Sequence, residues 1–326
     1  MLLVSAVLTT ASTGPALAEH GGDDTSILTF QFENDFFGGS DGQFSHGTRI
    51  AWMSPENHVP EWAIRFADWV PRFDVARSKR IVYSLGQSMF TPNDLERSDL
   101  IVGDRPYAGW LYGGLGLVSV GDHSLDNLEI NVGVIGPASF AEQTQKAWHE
   151  LFDFRRPEGW DNQLHNEPGI QFNFERKWRA WETFSVDRIG GDITPHMGIG
   201  LGNVLTQGAV GVTLRLGEGL PNDYGPPRIR PSLPGSDYFV SRGNFGWYLF
   251  VGAEGRAIAR NIFLDGNTFR DSHSVDKKNF VADFQAGLVV FIGGARIAYT
   301  HVLRTKEFDA QDKPGQFGAL SVSFRF

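Results

Sequence analysis

The 326-residue chain lacks cysteine, long hydrophobic runs and any excess of basic residues. Without cysteine it can form no disulfide, no thiolate metal site and no cysteine nucleophile. No stretch approaches the roughly 20 apolar residues that a membrane-spanning helix needs. The formal net charge is −9 and no basic run occurs, which argues against a nucleic-acid partner. No internal repeat or low-complexity tract divides the chain, so we predict a single domain.

The abundant residue types favour a sheet closed on itself. Phenylalanine is the most informative, with 26 copies against 7 tyrosines and 9 tryptophans, and glycine occurs 39 times. Glycine eases the bending of strands, and aromatic side chains pack on the pleated surface. All-β barrels also often reach this length as one domain.

The first residues have the pattern of a targeting segment. Residues 1–18 combine the apolar run LLVSAVL with Ala16-Leu17-Ala18, the small-x-small pattern at which signal peptides are cut. A buried N-terminal helix is the alternative, and Pro15 disfavours it. We therefore predict a signal peptide over residues 1–18 and a mature β-barrel domain over residues 19–326.

The last eleven residues, QFGALSVSFRF, have the pattern of an amphipathic strand. Every second position from Gly318 to Phe326 is Gly, Leu, Val, Phe and Phe, whereas Ala, Ser, Ser and Arg lie between them. Such a strand, ending in an aromatic residue, resembles the closing strand of bacterial outer-membrane barrels. An ordinary edge strand is the alternative. Together with the export signal and the lack of spanning helices, the pattern favours a membrane barrel.

Period-two alternation recurs through the middle of the chain. Leu28, Phe30 and Phe32, for example, alternate with polar residues, as expected for strands with one apolar and one polar face. A soluble lipocalin-like barrel would place the apolar face inside, but the terminal phenylalanine and the many polar faces favour the membrane form. The predicted fold is an all-β transmembrane antiparallel β-barrel with a short helix in an extracellular loop. About twelve strands are predicted, centred near residues 31, 48, 85, 114, 131, 174, 197, 211, 250, 285, 299 and 321.

An even strand number puts both chain ends on the periplasmic side and fixes which connections face outward. The first inward connection, 54–79, contains PEWAIRFADWV and predicts a short amphipathic helix at an interface or in the barrel floor. The second, 217–243, is Pro-rich and is expected to be irregular. The predicted outward loops are 37–42, 90–108, 137–167, 202–205, 256–277 and 304–315.

The third outward loop contains a predicted helix with a candidate catalytic histidine. Residues 138–152 lack Gly and Pro, and Ser139 with Glu142 forms a possible capping box that starts the helix near Phe140. Gln145 and His149 are four residues apart and share one helix face. A surface histidine on an amphipathic helix is the alternative interpretation.

Three polar clusters fall at the same predicted end of the barrel. They are Glu33-Asn34-Asp35, Asp104-Arg105 with the residues up to Gly109, and Gln145 with His149. Each alone can be a set of solvated loop residues. Together they supply an acidic cation site, a base and a cationic anchor, which is how a hydrolytic site is assembled.

Five blocks in this order closely resemble the conserved blocks of the outer-membrane lipid A deacylase family. They are ENDFFGGSDGQFSHG, SLGQSMFTPNDL, DRPYAGWLY, GPASFAEQTQKAWHELF and GWDNQLHNEP. The resemblance implies a twelve-stranded barrel in the Gram-negative outer membrane that removes the 3′-acyloxyacyl chain of lipid A. It also implies a calcium-dependent site near the outer leaflet, between the barrel wall and a loop helix.

The resemblance assigns roles to six residues. His149 matches the catalytic histidine, Gln145 the glutamine one turn before it, and Asn34 with Asp35 the Asn-Asp pair, which would bind Ca²⁺. Ser45 stands where the family usually has threonine in a Tyr-Thr-Asn-Gly block, here Phe-Ser-His-Gly, and Arg105 matches the basic site residue more loosely. Asn34 and Asp35 point to opposite faces of an ideal strand, so a shared site requires a bulge or a strand end.

These assignments predict metal-assisted ester hydrolysis with His149 as the general base. Gln145 would orient the imidazole or the attacking water. Arg105 would bind a lipid A phosphate or stabilise the developing negative charge. Ser45 as a nucleophile paired with histidine is the second mechanism, disfavoured because no Gly-x-Ser-x-Gly elbow is present. An outer-membrane phospholipase and a non-enzymatic small porin or structural barrel are the alternative functions. The expected partners are lipid A or lipopolysaccharide and the membrane, with the barrel as a monomer.

Overall fold

The computed structural model describes residues 23–35, 46–71, 73–179, 183–186, 188–225, 237–240 and 243–326. The predicted signal peptide, the 37–42 loop and Ser45 lie outside these residues. None of the helices in the described part of the chain is long and apolar enough to cross a membrane. The described strands are β1 (Ile27–Asn34), β2 (His46–Met53), β3 (Ser78–Phe90), β4 (Ala108–Val120), β5 (Ser124–Ile135), β6 (Glu167–Trp178), β7 (Thr183–Val186), β8 (Ile189–Gly202), β9 (Leu205–Glu218), β10 (Asn222–Asp223), β11 (Phe239–Val240), β12 (Phe245–Asn261), β13 (Phe280–Ile292), β14 (Ala295–Arg304) and β15 (Gly315–Arg325).

Twelve of these strands form one closed antiparallel barrel. The strand order is β6-β5-β4-β3-β2-β1-β15-β14-β13-β12-β9-β8, and β6 also pairs with β8, which closes the ring. The first strand pairs with the last, with Leu28 opposite Phe324 and Asn34 opposite Gly318. Each predicted strand centre falls within one barrel strand. The predicted twelve-stranded barrel is therefore confirmed.

The side chains alternate between a polar interior and an apolar exterior. On β1, Thr29, Gln31 and Glu33 are buried, whereas Phe30 is 43% exposed on the outer face. The outer face of the other strands presents large apolar residues in the same way, including Leu85, Val132, Ile170, Val251 and Phe284. Because apolar side chains face outward, the wall has the polarity of a membrane barrel and not of a lipocalin-like one.

The helix predicted in the first inward connection lies on the outside of the barrel. It is α1 (Glu61–Ala67), and its Ala63 and Ala67 pack against outward-facing residues of the wall such as Ile81 and Leu117. Its opposite side exposes Trp62 and Phe66, with Trp69 just beyond its end. The helix therefore packs on the outer face of the wall and does not plug the barrel floor.

The described residues of the second inward connection, 217–225, 237–240 and 243, include side chains that pack inside the lumen at its periplasmic end. In its described part, Tyr224 and Phe239 are buried in the largest apolar cluster, against lumen-facing residues such as Tyr248 and Phe291. Ion pairs fix it to the wall: Arg49 lies 3.0 Å from Asp237, and Arg215 pairs with Asp223. The described part of this connection is therefore held inside the barrel by apolar packing and by ion pairs to the wall.

At the outer end of the lumen, the buried carboxylate of Glu307 forms ion pairs with arginines. Glu307, in the loop between β14 and β15, accepts a hydrogen bond from Arg105 at 2.7 Å and from Arg304 at 3.2 Å. Burial raises the pKa of Glu307, but the charges of Arg304, Arg105 and Arg256 outweigh it and lower the pKa from 4.5 to about 2. A carboxylate with a lowered pKa stabilises the fold above its unfolded pKa, and this contribution is lost as the pH falls toward 2.

We predict that Glu307→Gln lowers stability at pH 7, because removing one partner of a buried ion pair typically costs about 3–5 kcal/mol. The difference from wild type should shrink as the pH falls from about 4.5 toward 2, since wild-type Glu307 is then protonated too. The unfolding temperature of the heat-modifiable barrel, followed on gels at several pH values, measures both effects. Asp312→Asn, an exposed change in the same loop, is the control. A pH-independent difference would contradict the assignment.

Candidate active site

The predicted loop helix is present but begins differently from the prediction. It is α2 (Ala141–Phe152), preceded by a 3₁₀ turn at Pro137–Ser139 and by Phe140, whose φ is 57°. The capping box is wrong: the Ser139 hydroxyl donates to the Gly136 carbonyl at 2.6 Å, and no side chain caps the helix. Glu142 pairs with Lys146 instead. The tight turn before α2, not a side-chain cap, sets where the helix begins.

α2 lies against the outside of the barrel wall. The Trp148 ring is centred 5.3 Å from that of Phe32 on β1 and 5.6 Å from that of His46 on β2. Both wall residues belong to the outward-facing set of their strands, and His46 is buried although it faces away from the lumen. Its burial follows from the cover that Trp148 provides. We call this contact between α2 and the outer face of β1–β4 the helix–wall interface.

Gly109 on β4 lets the start of α2 approach the wall. A Cβ atom at this position would lie 2.1 Å from Ser139 Oγ and 2.3 Å from Ala141 Cβ, distances that real structures do not allow. On the neighbouring β3, Gln87 donates to the Ser139 carbonyl at 2.7 Å. The glycine of the DRPYAGWLY block therefore has a packing role that its sequence pattern alone did not indicate.

Gln145 is held by a tryptophan from the GWDNQLHNEP block. Trp160 Nε1 donates to Gln145 Oε1 at 2.8 Å, and both side chains are buried. Trp160 also packs with Tyr107, Met89 and Ala141 in one apolar cluster under the helix. Within the described chain, the Gln145 amide nitrogen is buried without a hydrogen-bond partner. Gln145 is thus fixed in orientation by its carbonyl oxygen, and both N–H groups of its amide have no partner in the described chain.

His149 is half-buried one turn after Gln145. Its Nδ1 bonds the Arg155 carbonyl oxygen, and its ring meets the edge of Phe154 with centroids 5.8 Å apart. A carbonyl only accepts hydrogen bonds, so Nδ1 must carry the proton. The neutral imidazole then presents the Nε2 lone pair, which is the tautomer that a general base needs.

Asn34 and Asp35 stand where β1 ends. Asn34 follows Phe32 on the outward face and is half-buried, whereas Asp35 comes just after the strand and is buried. The strand end required for a shared site is therefore present. Their amide and carboxylate oxygens are the donor type that Ca²⁺ prefers, but two side chains supply fewer than its usual six to eight ligands. No group of three or more histidine, aspartate or glutamate side chains suited to a metal occurs among the described residues.

Arg105 lies away from the helix–wall interface. Its guanidinium is fully buried at the outer end of the lumen, paired with Glu307 and stacked near the rings of Phe90 and Phe308. The adjoining Asp104 accepts from the backbone of Asn93 at 2.8 Å. The Asp104-Arg105 pair therefore organises loops at the rim, while Tyr107 and Gly109 of the same block face α2.

The sequence thus predicted the helix and its two polar residues, Gln145 and His149. It did not predict most of the wall residues against which the helix packs. Ser45, which lies outside the described residues, directly precedes His46 in the sequence. The His46 Nε2 atom lies 2.7 Å from Thr48 Oγ1, one strand register along the same outer face. The aromatic residues around Trp148 carried no signal in the sequence, because outward aromatics are expected everywhere on a membrane barrel.

Comparison with known proteins supports the fold and the family. A family model described as "Outer membrane protein LpxR" matches residues 2–326. The solved structure of LpxR from Salmonella typhimurium is similar with a TM-score of 0.74 and 16% identity, covering 92% of this chain and 100% of that one. The Bordetella autotransporter BrkA β-domain reaches a TM-score of only 0.42 at 8% identity, over 92% and 97% of the chains. No curated protein sequence gives a match.

We predict that Gly109→Ala displaces α2 and lowers activity, because the new methyl group meets Ser139 and Ala141. A displacement of about 1 Å at a catalytic group can cost about 10²-fold in rate. Gly113→Ala is the matched control: it lies on the same strand, and its nearest added contact is 4.0 Å away. Both variants are assayed for ester hydrolysis after the folded barrel is confirmed on gels. Equal activity of the two variants would contradict the role assigned to the contact.

Proposed function

The chain belongs to the LpxR family of outer-membrane proteins, and on that premise we propose that it is a lipid A deacylase that removes the 3′-linked acyloxyacyl chain by ester hydrolysis. One observation carries the proposal: His149 lies on a helix packed against the outside of the wall at its outer end. A membrane lipid can reach this position from the outer leaflet without entering the lumen. The ordered blocks that resemble the lipid A deacylases support the choice of substrate.

His149 acts as the general base. With its Nδ1 proton held by the Arg155 carbonyl, Nε2 takes a proton from water as the water oxygen attacks the ester carbonyl. The imidazolium then returns the proton to the sugar oxygen as the carbon–oxygen bond breaks, which releases the fatty acid and a free hydroxyl group. Atoms and charge balance without another reactant.

Gln145 and Trp160 position this step. Because Trp160 fixes the Gln145 carbonyl oxygen, the amide nitrogen is free to donate to the water or to the substrate. Asp35 and Asn34 would hold a Ca²⁺ ion, which would polarise the ester carbonyl and stabilise the oxyanion. We now assign Arg105 to holding the rim through Glu307 instead of binding a lipid A phosphate, because a ligand would have to break a buried ion pair.

The alternatives differ in what the structure offers them. A porin needs an open lumen, and the described interior is filled by Tyr224 and Phe239 at the periplasmic end and by arginine–carboxylate pairs further out. A phospholipase would use the same bond type and cation, so lipid specificity must be measured directly. Ser45 as nucleophile remains the second mechanism.

We predict that His149→Ala and His149→Asn lose about 10²–10⁴-fold in the rate of acyl release, the usual contribution of a general base. The assay follows fatty-acid release from purified lipid A by the folded, detergent-solubilised barrel. His165→Ala in the same loop is the control, because His165 is exposed. His46→Ala is unsuitable as a neutral control, since His46 packs against Trp148. Normal release by His149→Ala would exclude the histidine-base mechanism.

The proposed metal site gives a separate prediction. Asp35→Asn preserves size and removes the charge, so calcium should bind more weakly and more of it should be needed for full activity. Asp161→Asn, an exposed change in the outward loop, should leave the calcium requirement unchanged. Calcium titration after chelation measures both. Activity that resists chelation in wild type and Asp35→Asn alike would remove the cation from the mechanism.

Substitution of Ser45 separates the two nucleophiles. If water attacks, Ser45→Thr should retain most activity and Ser45→Ala part of it, and no acyl-enzyme should accumulate. Mass spectrometry of the intact protein during turnover tests this. An acyl group on Ser45 would establish the covalent route instead.

A further inference from the structure

A second concave surface lies on the outer face of β8, β9, β12 and β13. It is a groove of about 960 Å³ whose lining includes Gly208, Gly255, Ala257 and Ala282. In the ring of barrel strands, β5 and β6 separate it from the helix–wall interface on one side, and β14 and β15 on the other. We call it the distal groove. It shares no residue with the proposed active site.

The distal groove is a gap in the outer apolar wall. Gly255 pairs with Val210 and Ala282, so two of the three residues in this outward row are small. A Cβ atom built at Gly208 or Gly255 would meet nothing within 4 Å, which shows that neither glycine is needed for close packing inside the protein. Glycine weakens a strand and often marks a bulge, a bend or a site that a ligand approaches closely.

The sides and the top of the groove differ in chemistry. Val210 and Phe280 form the sides of the groove, and their side chains are 64% and 79% exposed. At the outward end stand Lys278 and Lys306. Lys278 makes an exposed pair with Asp309 at 2.5 Å, whereas Lys306 makes no ion pair with any residue that the structure describes. The groove is thus apolar along the membrane and cationic where lipid headgroups lie.

We propose that the distal groove is a binding site for a second lipid A molecule, held by an acyl chain against the small-residue floor and by a phosphate at Lys278 and Lys306. An exposed ion pair such as Lys278–Asp309 contributes little, so Lys278 can exchange its partner for a phosphate. The choice of lipid A follows from position: the groove opens at the outward end of an outer-membrane barrel, where the outer leaflet presents phosphorylated, acylated lipid A. The inference rests on this membrane placement and not on turnover at His149.

The experiment fills the groove without disturbing the fold. Gly208→Leu and Gly255→Leu place side chains in the empty space, and Lys278→Ala with Lys306→Ala removes the charge. Ala286→Leu on β13, exposed on the same face but outside the groove, and Lys313→Ala in the same outward loop are the matched controls. All are made in the His149→Ala background, so that no acyl chain is removed, and folding is checked by heat modifiability on gels.

Native mass spectrometry counts the molecules of bisphosphorylated lipid A that remain on each barrel. We expect the two leucine variants and the double lysine variant to hold one fewer lipid A than the parent, and the two controls to match the parent. Dephosphorylated lipid A should be lost more readily from the parent than the phosphorylated form. An equal number of bound lipid A molecules on the parent and on the leucine variants would overturn the proposal. It would also be overturned if the parent retained phosphatidylglycerol as well as it retains lipid A. Loss of hydrolysis at His149 is scored separately in the turnover assay, so the two proposals fail independently.

Discussion

The contact on which the rest of the proposed chemistry depends is the packing of α2 against the outside of the barrel. Gly109 lets the helix start touch the wall, and Trp148 anchors its middle on Phe32 and His46. Aromatic pairs of this kind contribute about 0.5–1.5 kcal/mol each beyond the area they bury. With the helix held at both points, the buried Gln145 and the half-buried His149 have fixed positions on the outside of the wall. A loop helix without this support could not keep a catalytic base in place.

Ion pairs join the interior of the barrel to its wall and to its rim loops. Arginine–carboxylate pairs occupy the lumen, and Glu307 joins the rim loops through Arg105 and Arg304. Buried pairs of this sort are costly to break once formed. The described parts of the two inward connections lie on opposite sides of the wall: Tyr224 and Phe239 of one pack inside the lumen, and the other places α1 on the outer face. The proposed active site accordingly lies on the outer surface of the wall and not in the lumen.

The sequence predicted the parts of the structure that depend on periodicity. All strand centres and the loop helix follow from apolar alternation and from the absence of Gly and Pro in residues 138–152. It failed where the decisive contact joins distant segments. The capping box was wrong because Ser139 bonds Gly136 in a tight turn. The ion pair between Arg105 and Glu307 could not be predicted, because the two residues lie 202 positions apart in the sequence. The roles of Gly109 and Trp160 are visible only when the loop is seen on the wall.

The central claim is that a lipid is hydrolysed at the outer surface of the barrel and that this lipid is lipid A. Mass spectrometry of lipid A from Gram-negative cells expressing the wild-type chain, against cells carrying the empty vector, tests it most directly. We predict a lipid A species lighter by one complete acyloxyacyl group, with both phosphates retained and the phospholipid acyl composition unchanged. Unaltered lipid A in cells whose outer membrane contains the folded barrel would contradict it, as would lysophospholipid as the new product.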